Sequence, residues 1–207
     1  VHGPPEEALR AWEQIRAQLK KIGLLFKPSA LKAWSPTQVP AGLATAMEAA
    51  DIKLQPPQDG IMVLGTPVGT ERWAAEVVTS ICMSKREGLA TLATIGPGPA
   101  QDGLLRYCAN AWVSHLGRTA TPGAAKHLEV HDRAVADMFF RLAGCRDPSG
   151  FSKQMVQLPV PWGGFGLATA ASTSDRAYIA SWLAVRHTLQ ELYPTFAEWH
   201  AYDPVAY

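Results

Sequence analysis

Glu6-Glu7-Ala8-Leu9-Arg10-Ala11-Trp12-Glu13-Gln14-Ile15-Arg16-Ala17-Gln18-Leu19-Lys20-Lys21-Ile22-Gly23 carries the signals of a helix and of its stop. Glu6 and Glu7 lie where a helix N-terminus favours acids, and Lys20 and Lys21 where its C-terminus favours bases. Gly23 supplies the left-handed residue that ends it. Leu9, Trp12, Ile15, Leu19 and Ile22 recur at helical spacing and make one apolar face. Leu24 to Phe26 then reads as a short strand closed by Pro28, and Ala30 to Trp34 as a second short segment ended by Pro36.

Outward from this start the chain stays mainly helical. Residues 41–51 favour helix, and Pro56-Pro57 marks a loop. Ile61-Met62-Val63-Leu64, between Gly60 and Gly65, predicts a buried strand. A helix starts at Thr70 with Trp73, Val77 and Ile81 in line; Gly88 weakens its middle, and Gly96-Pro97-Gly98-Pro99 breaks the chain. Helices are expected over 102–117 and 124–143, the latter with Arg133, Asp137 and Arg141 on an exposed face and Leu128, Val135, Phe139 and Leu142 opposite. Phe151 to Val160 reads as extended and Gly163-Gly164 as a turn. Ser172 with Asp175 resembles a capping box for a helix to about His187, in which Ala177, Ala180 and Ala184 permit close packing. A short helix follows Pro194. The predicted class is mainly α with a few short strands (α+β).

Composition narrows the function classes. The 207 residues are 47% hydrophobic and 18% charged, which describes a globular chain with a sizeable core. No apolar run reaches the roughly 18 residues a membrane span needs. Val1-His2-Gly3-Pro4-Pro5 has no basic region, no apolar region and no Met, and reads as a cut end. Cys82, Cys108 and Cys145 are odd in number and widely spaced, which predicts reduced, mostly buried thiols in an intracellular protein. Net charge is +1, whereas an autonomous nucleic-acid binder usually carries a basic surplus.

Several constellations resolve into ordinary structure. Gly65-Thr66-Pro67-Val68-Gly69-Thr70 resembles a phosphate loop, but no Lys precedes Thr70 and Pro67 lacks an N–H, so a strand-to-helix turn is expected. His127 and His131 are four apart without the H-E-x-x-H order; His131 reads as a satisfied, semi-buried residue, and no metal site is assigned. No G-x-S-x-G elbow exists. One polar array stands out: Arg106, Asn110, Ser114 and Arg118 follow at four-residue steps beside the apolar stripe Leu105, Ala109, Trp112 and Leu116. Guanidinium, amide and hydroxyl in line can follow a nucleic-acid backbone. The same residues also read as a solvated face with Arg stems packed on the core.

The order of four motifs resembles the part of LINE-like, non-LTR retroelement reverse transcriptases that follows the catalytic aspartates. Gly23-Leu24-Leu25-Phe26-Lys27-Pro28-Ser29-Ala30 is similar to the family's Gly-Leu strand and its Asn-Pro-x-Lys continuation. Leu64-Gly65-Thr66-Pro67-Val68-Gly69 resembles the primer-grip region. Leu104-Leu105-Arg106-Tyr107-Cys108 and Arg118-Thr119 resemble thumb helices. Leu158-Pro159, Gly163-Gly164-Phe165-Gly166-Leu167 and Ala177 to Ser181 resemble the recurrent L-P…G-G-L-G-L…A-x-x-A-S pattern. The resemblance covers nearly the whole chain. It implies a palm end with the primer-grip strand in residues 1–75, a helical thumb-like domain in 76–207, and a template–primer duplex (RNA–DNA or RNA) as a weakly held partner.

Two departures qualify what the resemblance implies. Lys27 stands where the family has Asn, and the family's Lys, a proposed proton donor to pyrophosphate, falls on Ala30 with Lys32 two positions away. The aspartates that hold two Mg ions would precede Val1; Glu6, Glu7 and Glu13 do not replace them. The chain alone is therefore expected to need no cofactor and not to polymerise. A missing N-terminal palm and fingers half is the implied partner, and seven Trp in a partial domain imply self-association. Charge neutrality sustains a competing reading, a helical protein-interaction or assembly module with no nucleic-acid role.

Overall fold

The computed structural model describes residues 4–27, 30–96 and 98–192. They are mainly helical with a few short strands, and divide into two compact units, Val1–Trp73 and Ala74–Tyr207. The helix expected after Pro194 lies outside the described residues.

In the first unit α1 spans Pro5–Lys21. Gly23, at φ 80°, stops it: Gly23 N–H bonds to the Lys20 carbonyl and Leu24 N–H to that of Leu19, the paired bonds of a Schellman cap. The strand expected at Leu24–Phe26 does not form. The turn sends Phe26 back onto Trp12, ring centroids 4.4 Å apart, and leaves Leu24 and Leu25 exposed without a ladder partner. Pairing begins at β1 (Lys32–Ala33), which runs parallel to β2 (Lys53–Leu54) and is joined to it through α2 (Ala41–Ala49). Met47 and Ile52 are the buried apolar residues here.

β3 (Gly60–Val63) and β4 (Thr66–Gly69) form an antiparallel hairpin. The motif expected to turn from strand to helix is thus the tip and return strand of a hairpin. Leu64 and Gly65, both at positive φ (50° and 82°), make a two-residue turn. Nor is the β3 segment buried: Met62 and Val63, which face opposite sides of this two-stranded ribbon, are both exposed. Pro67 sits opposite Met62 in a pair that exchanges no ladder bonds, so its missing N–H costs nothing. Gly60 faces Gly69 beneath the Trp73 ring, and a Cβ on Gly60 would lie 2.6 Å from that ring. Thr70 then caps the next helix, its hydroxyl accepting from Trp73 N–H at 3.3 Å and donating to the Gln58 carbonyl at 2.7 Å.

That helix, α3 (Glu71–Ala93), leads into the second unit. Its buried face is Ala74, Val78, Cys82, Leu89 and Leu92, one residue round from the expected Trp73–Val77–Ile81 stripe. Gly88 does not interrupt it; the Trp112 ring fills the space where a Cβ would stand. After the Gly/Pro break come α4 (Pro99–Gly103), a π-turn at Leu104–Cys108, a 3₁₀ turn at Ala109–Ala111 and α5 (Ser114–Thr119). The segment expected as one helix over 102–117 is therefore four pieces. Likewise 124–143 is α6 (Pro122–Ala125), a 3₁₀ turn at Lys126–Leu128, and α7 (Glu129–Leu142) closed by a Schellman cap at Gly144.

The extended reading of Phe151–Val160 is overturned: α8 spans Gly150–Gln157, started by Ser149, whose hydroxyl accepts from Ser152 N–H. A 3₁₀ turn at Val160–Trp162 follows, closed by Gly163 at φ 80° as the turn reading expects. The last described helix, α9, spans Ala170–Leu192. Its cap is not the Ser172–Asp175 box. Asp132 on α7 reaches across and accepts from Ala170 N–H at 2.8 Å and Ala171 N–H at 2.9 Å. Close packing on α9 also falls elsewhere: Ser174, 2% exposed, meets Gly117 of α5, while Ala180 and Ala184 are exposed.

Asp132 thus supplies both hydrogen bonds at the start of a long helix. Asp132→Ala is expected to lower the unfolding free energy of the second unit by about 2 kcal/mol, the upper end for losing a helix cap. Asp132→Asn, which keeps one acceptor oxygen, is expected to lose less. Urea unfolding followed by circular dichroism measures both, and equal stability of all three proteins would refute the cap.

Candidate nucleic-acid interface

The hairpin tip is the first candidate element. Leu64, Gly65, Thr66, Pro67 and Gly69 do come together there, with Leu64 fully solvent-exposed at the apex and Pro67 buried at the base. Leu64 is held at φ 50°, a conformation that costs a residue with a Cβ about 1–2 kcal/mol. An apolar residue strained into full exposure gains nothing from the fold of its own unit. The turn geometry favours Asn before Gly. Leu64→Asn is accordingly expected to raise the stability of the first unit by up to about 1 kcal/mol; a lower melting midpoint would show that the Leu64 side chain stabilises the hairpin.

The polar array of the second unit is not the straight ladder expected from its spacing. The π-turn adds a residue to the helical repeat, and the backbone leaves helical geometry at Val113 (φ −111°, ψ 7°). Ser114 and Arg118 share α5, one turn apart and both exposed; Arg106 and Asn110, half-buried, belong to the turns before it. Arg106 is 3.4 Å from Asp102 Oδ2, and its side chain is only 20% exposed with Nε buried and without a hydrogen-bond partner. Its charge is largely occupied within the fold. Arg118 makes no ion pair among the described residues and is the accessible cation of the array. The neighbouring apolar stripe lies as expected, with Leu105, Ala109 and Leu116 buried and Trp112 half-buried.

Under this array lies a buried polar cluster that spacing did not reveal. His131 is fully buried, not semi-buried, and its Nε2 pairs with the Ala109 carbonyl at 3.0 Å, at the junction of the π and 3₁₀ turns. Because a carbonyl only accepts, the proton sits on Nε2; Nδ1 has no partner. Burial lowers the His131 pKa from its ordinary 6.5, with Lys85 adding to the effect and the Ala109 bond and Asp132 opposing it. Burial likewise raises Asp132, against its bonds to Ala171 and Ala170. The Cys82 thiol, 1% exposed, is pushed up to about 11 by burial and is protonated at neutral pH. It is no nucleophile. Cys108 and Cys145 are exposed, against the expectation of mostly buried thiols. His127 pairs with the Thr79 hydroxyl at 3.1 Å on a separate turn from His131.

Among the described residues no group of three His, Cys, Asp or Glu side chains can hold a metal ion. Glu6, Glu7 and Glu13 are exposed along α1 and do not converge, so the residues present do not fit the Mg ions that a polymerase would use. Among the described residues, no helix is long and apolar enough to cross a membrane. Compared with family models, curated proteins and solved structures, the chain matches none.

The buried imidazole gives the second unit a pH dependence of known sign. The unfolded chain takes up the His131 proton near pH 6.5, and the folded chain takes it up only at lower pH. The His131 contribution to stability is therefore expected to fall as pH drops below about 6.5, by at most about 1.4 kcal/mol per pH unit, while the raised Asp132 contributes in the opposite sense. Urea unfolding at pH 7.5 and 5.5 tests this against His131→Gln, whose pH slope should be flatter whatever its baseline stability. Identical slopes in the two proteins would count against it.

Proposed function

We propose that the chain is the duplex-holding part of an RNA-directed DNA polymerase of the LINE-like class, a primer-grip-like hairpin followed by a helical thumb. The observation that carries this reading is the agreement of motif order with element order. Leu64-Gly65-Thr66-Pro67-Val68-Gly69 folds as a hairpin tip and return strand, and the very next residue, Thr70, caps the helix that opens a helical unit. The role so assigned is holding a template–primer duplex through its backbone, which requires shape and charge but no base readout. The reading assigns the chain a holding role and no chemical step.

A second reading, a helical interaction or assembly module, is favoured by specific features. Net charge is only +1, and Arg106 is engaged by Asp102. α1 buries none of its residues within the first unit, and Ile15, Ile22, Leu24 and Leu25 are exposed. Self-association through such apolar surface is compatible with both readings.

Titrating a labelled RNA–DNA hybrid with the chain and with the Arg106→Ala, Arg118→Ala double variant separates the two. Weak, sequence-indifferent binding is expected at low salt, and because Asp102 engages Arg106 the double variant should lose only about one released counterion from the salt slope. Arg118→Ala alone should account for most of the loss. Equal binding by wild type and double variant removes the array from the interface, and no binding at low salt favours the interaction module.

A further inference from the structure

Charge in the first unit is segregated along the sequence. From Gln14 to Met47 the chain carries Arg16, Lys20, Lys21, Lys27 and Lys32 and no acidic residue. All five are exposed, and none forms an ion pair among the described residues. The parallel ladder then places Lys53 in register with Lys32. In-register residues on adjacent strands share a face, so two exposed ammonium stems stand about 5 Å apart at their roots. Like charges side by side weaken a sheet, and this sheet has only two residues per strand to oppose them. The nearest acids in sequence, Glu48 and Asp51 at the end of α2, pair with neither lysine. The remaining acids of the unit lie at Glu6, Glu7 and Glu13 on the front half of α1 and at Asp59 and Glu71 beyond β2.

We infer that the in-register Lys32 and Lys53 form a phosphate-binding strip across the ladder, in a unit whose residues 14–47 carry five cations and no acid, and that its occupant is the sugar–phosphate backbone of a nucleic acid. An anion between the two ammonium groups turns their mutual repulsion into shared attraction. Flexible lysine stems suit this, since each offers a point charge with no directional fork to satisfy. Several cations in succession match a polyanion better than an isolated phosphate, and no base-reading side chains are required. The choice of nucleic acid among polyanions rests on the duplex-holding reading above; the site itself rests on the register and the acid-free window.

The test uses the full chain, a labelled RNA–DNA hybrid and a labelled single strand, with the Lys32→Gln, Lys53→Gln double variant. Affinity at low salt is expected to fall about tenfold or more for either probe, and the salt slope to decrease by about two. The melting midpoint should stay equal or rise, because a repulsive pair has been removed, and Lys32→Arg, Lys53→Arg should retain binding. Lysine-variant binding equal to wild type overturns the strip, as does a loss of binding that comes with a lower midpoint. The Arg106→Ala, Arg118→Ala variant separates the two ideas: loss only in the lysine variant upholds the strip and dismisses the array, and loss only in the arginine variant does the reverse. Absence of binding by wild type overturns the strip together with the duplex-holding reading.

Discussion

The carboxylate of Asp132 ends the orphan N–H groups of Ala170 and Ala171, and on this tie the second unit depends. A 23-residue helix begins with donors that nothing in its own sequence satisfies, and the acceptor comes from 38 residues upstream. The residue before Asp132 works in the opposite direction: His131 turns into the core and holds the Ala109 carbonyl where the chain changes from π to 3₁₀ geometry. Two consecutive side chains on α7 therefore fix one helix start and one irregular turn. Both are paid for by desolvation, since burial is the largest influence on each. Such groups stabilise only while every partner stays in place. The apolar residues around them, Leu105, Leu116, Leu128 and Val135, are packed with almost no exposure.

Local signals in the sequence located what local physics decides. α1 and its Gly23 stop, α2 and the start at Thr70 all follow from periodicity and capping chemistry within one or two turns of chain. What the sequence hid depends on distant partners. Leu24–Phe26 has strand composition, yet a strand exists only when another pairs with it, and Phe26 finds Trp12 instead. Phe151–Val160 stands apart as a local misreading, since Phe151, Met155 and Leu158 recur at helical spacing and Ser149 starts a helix that Leu158 and Pro159 end after eight residues, whereas distant partners decide the rest. The Asp132 cap was unreadable for the same reason, since no window of neighbouring residues contains both ends.

The candidate site divides along the same line. The Leu64–Gly69 motif was visible as a unit, but its hairpin geometry was not, because Leu at a positive-φ turn position contradicts turn chemistry. Conflicts between local preference and global structure gather at functional sites. The Arg106–Arg118 array was visible as spacing and then broken by the π-turn. Four-residue steps predict a common face only if the repeat is uniform, and one inserted residue moves the following side chains about a quarter-turn round the axis.

Whole-chain charge was the observation that weighed most against nucleic-acid binding, and it is the least suited to deciding the matter. A phosphate at the surface senses charges within a Debye length, about 8 Å at physiological ionic strength, not the total over 207 residues. A chain of net charge +1 can hold five cations in an acid-free window of its first unit while Asp102 engages Arg106 in its second. The average conceals both. Register completes the picture, because Lys32 and Lys53 are 21 positions apart in sequence and adjacent on a ladder. Local charge, not net charge, is therefore the quantity that bears on what this surface holds.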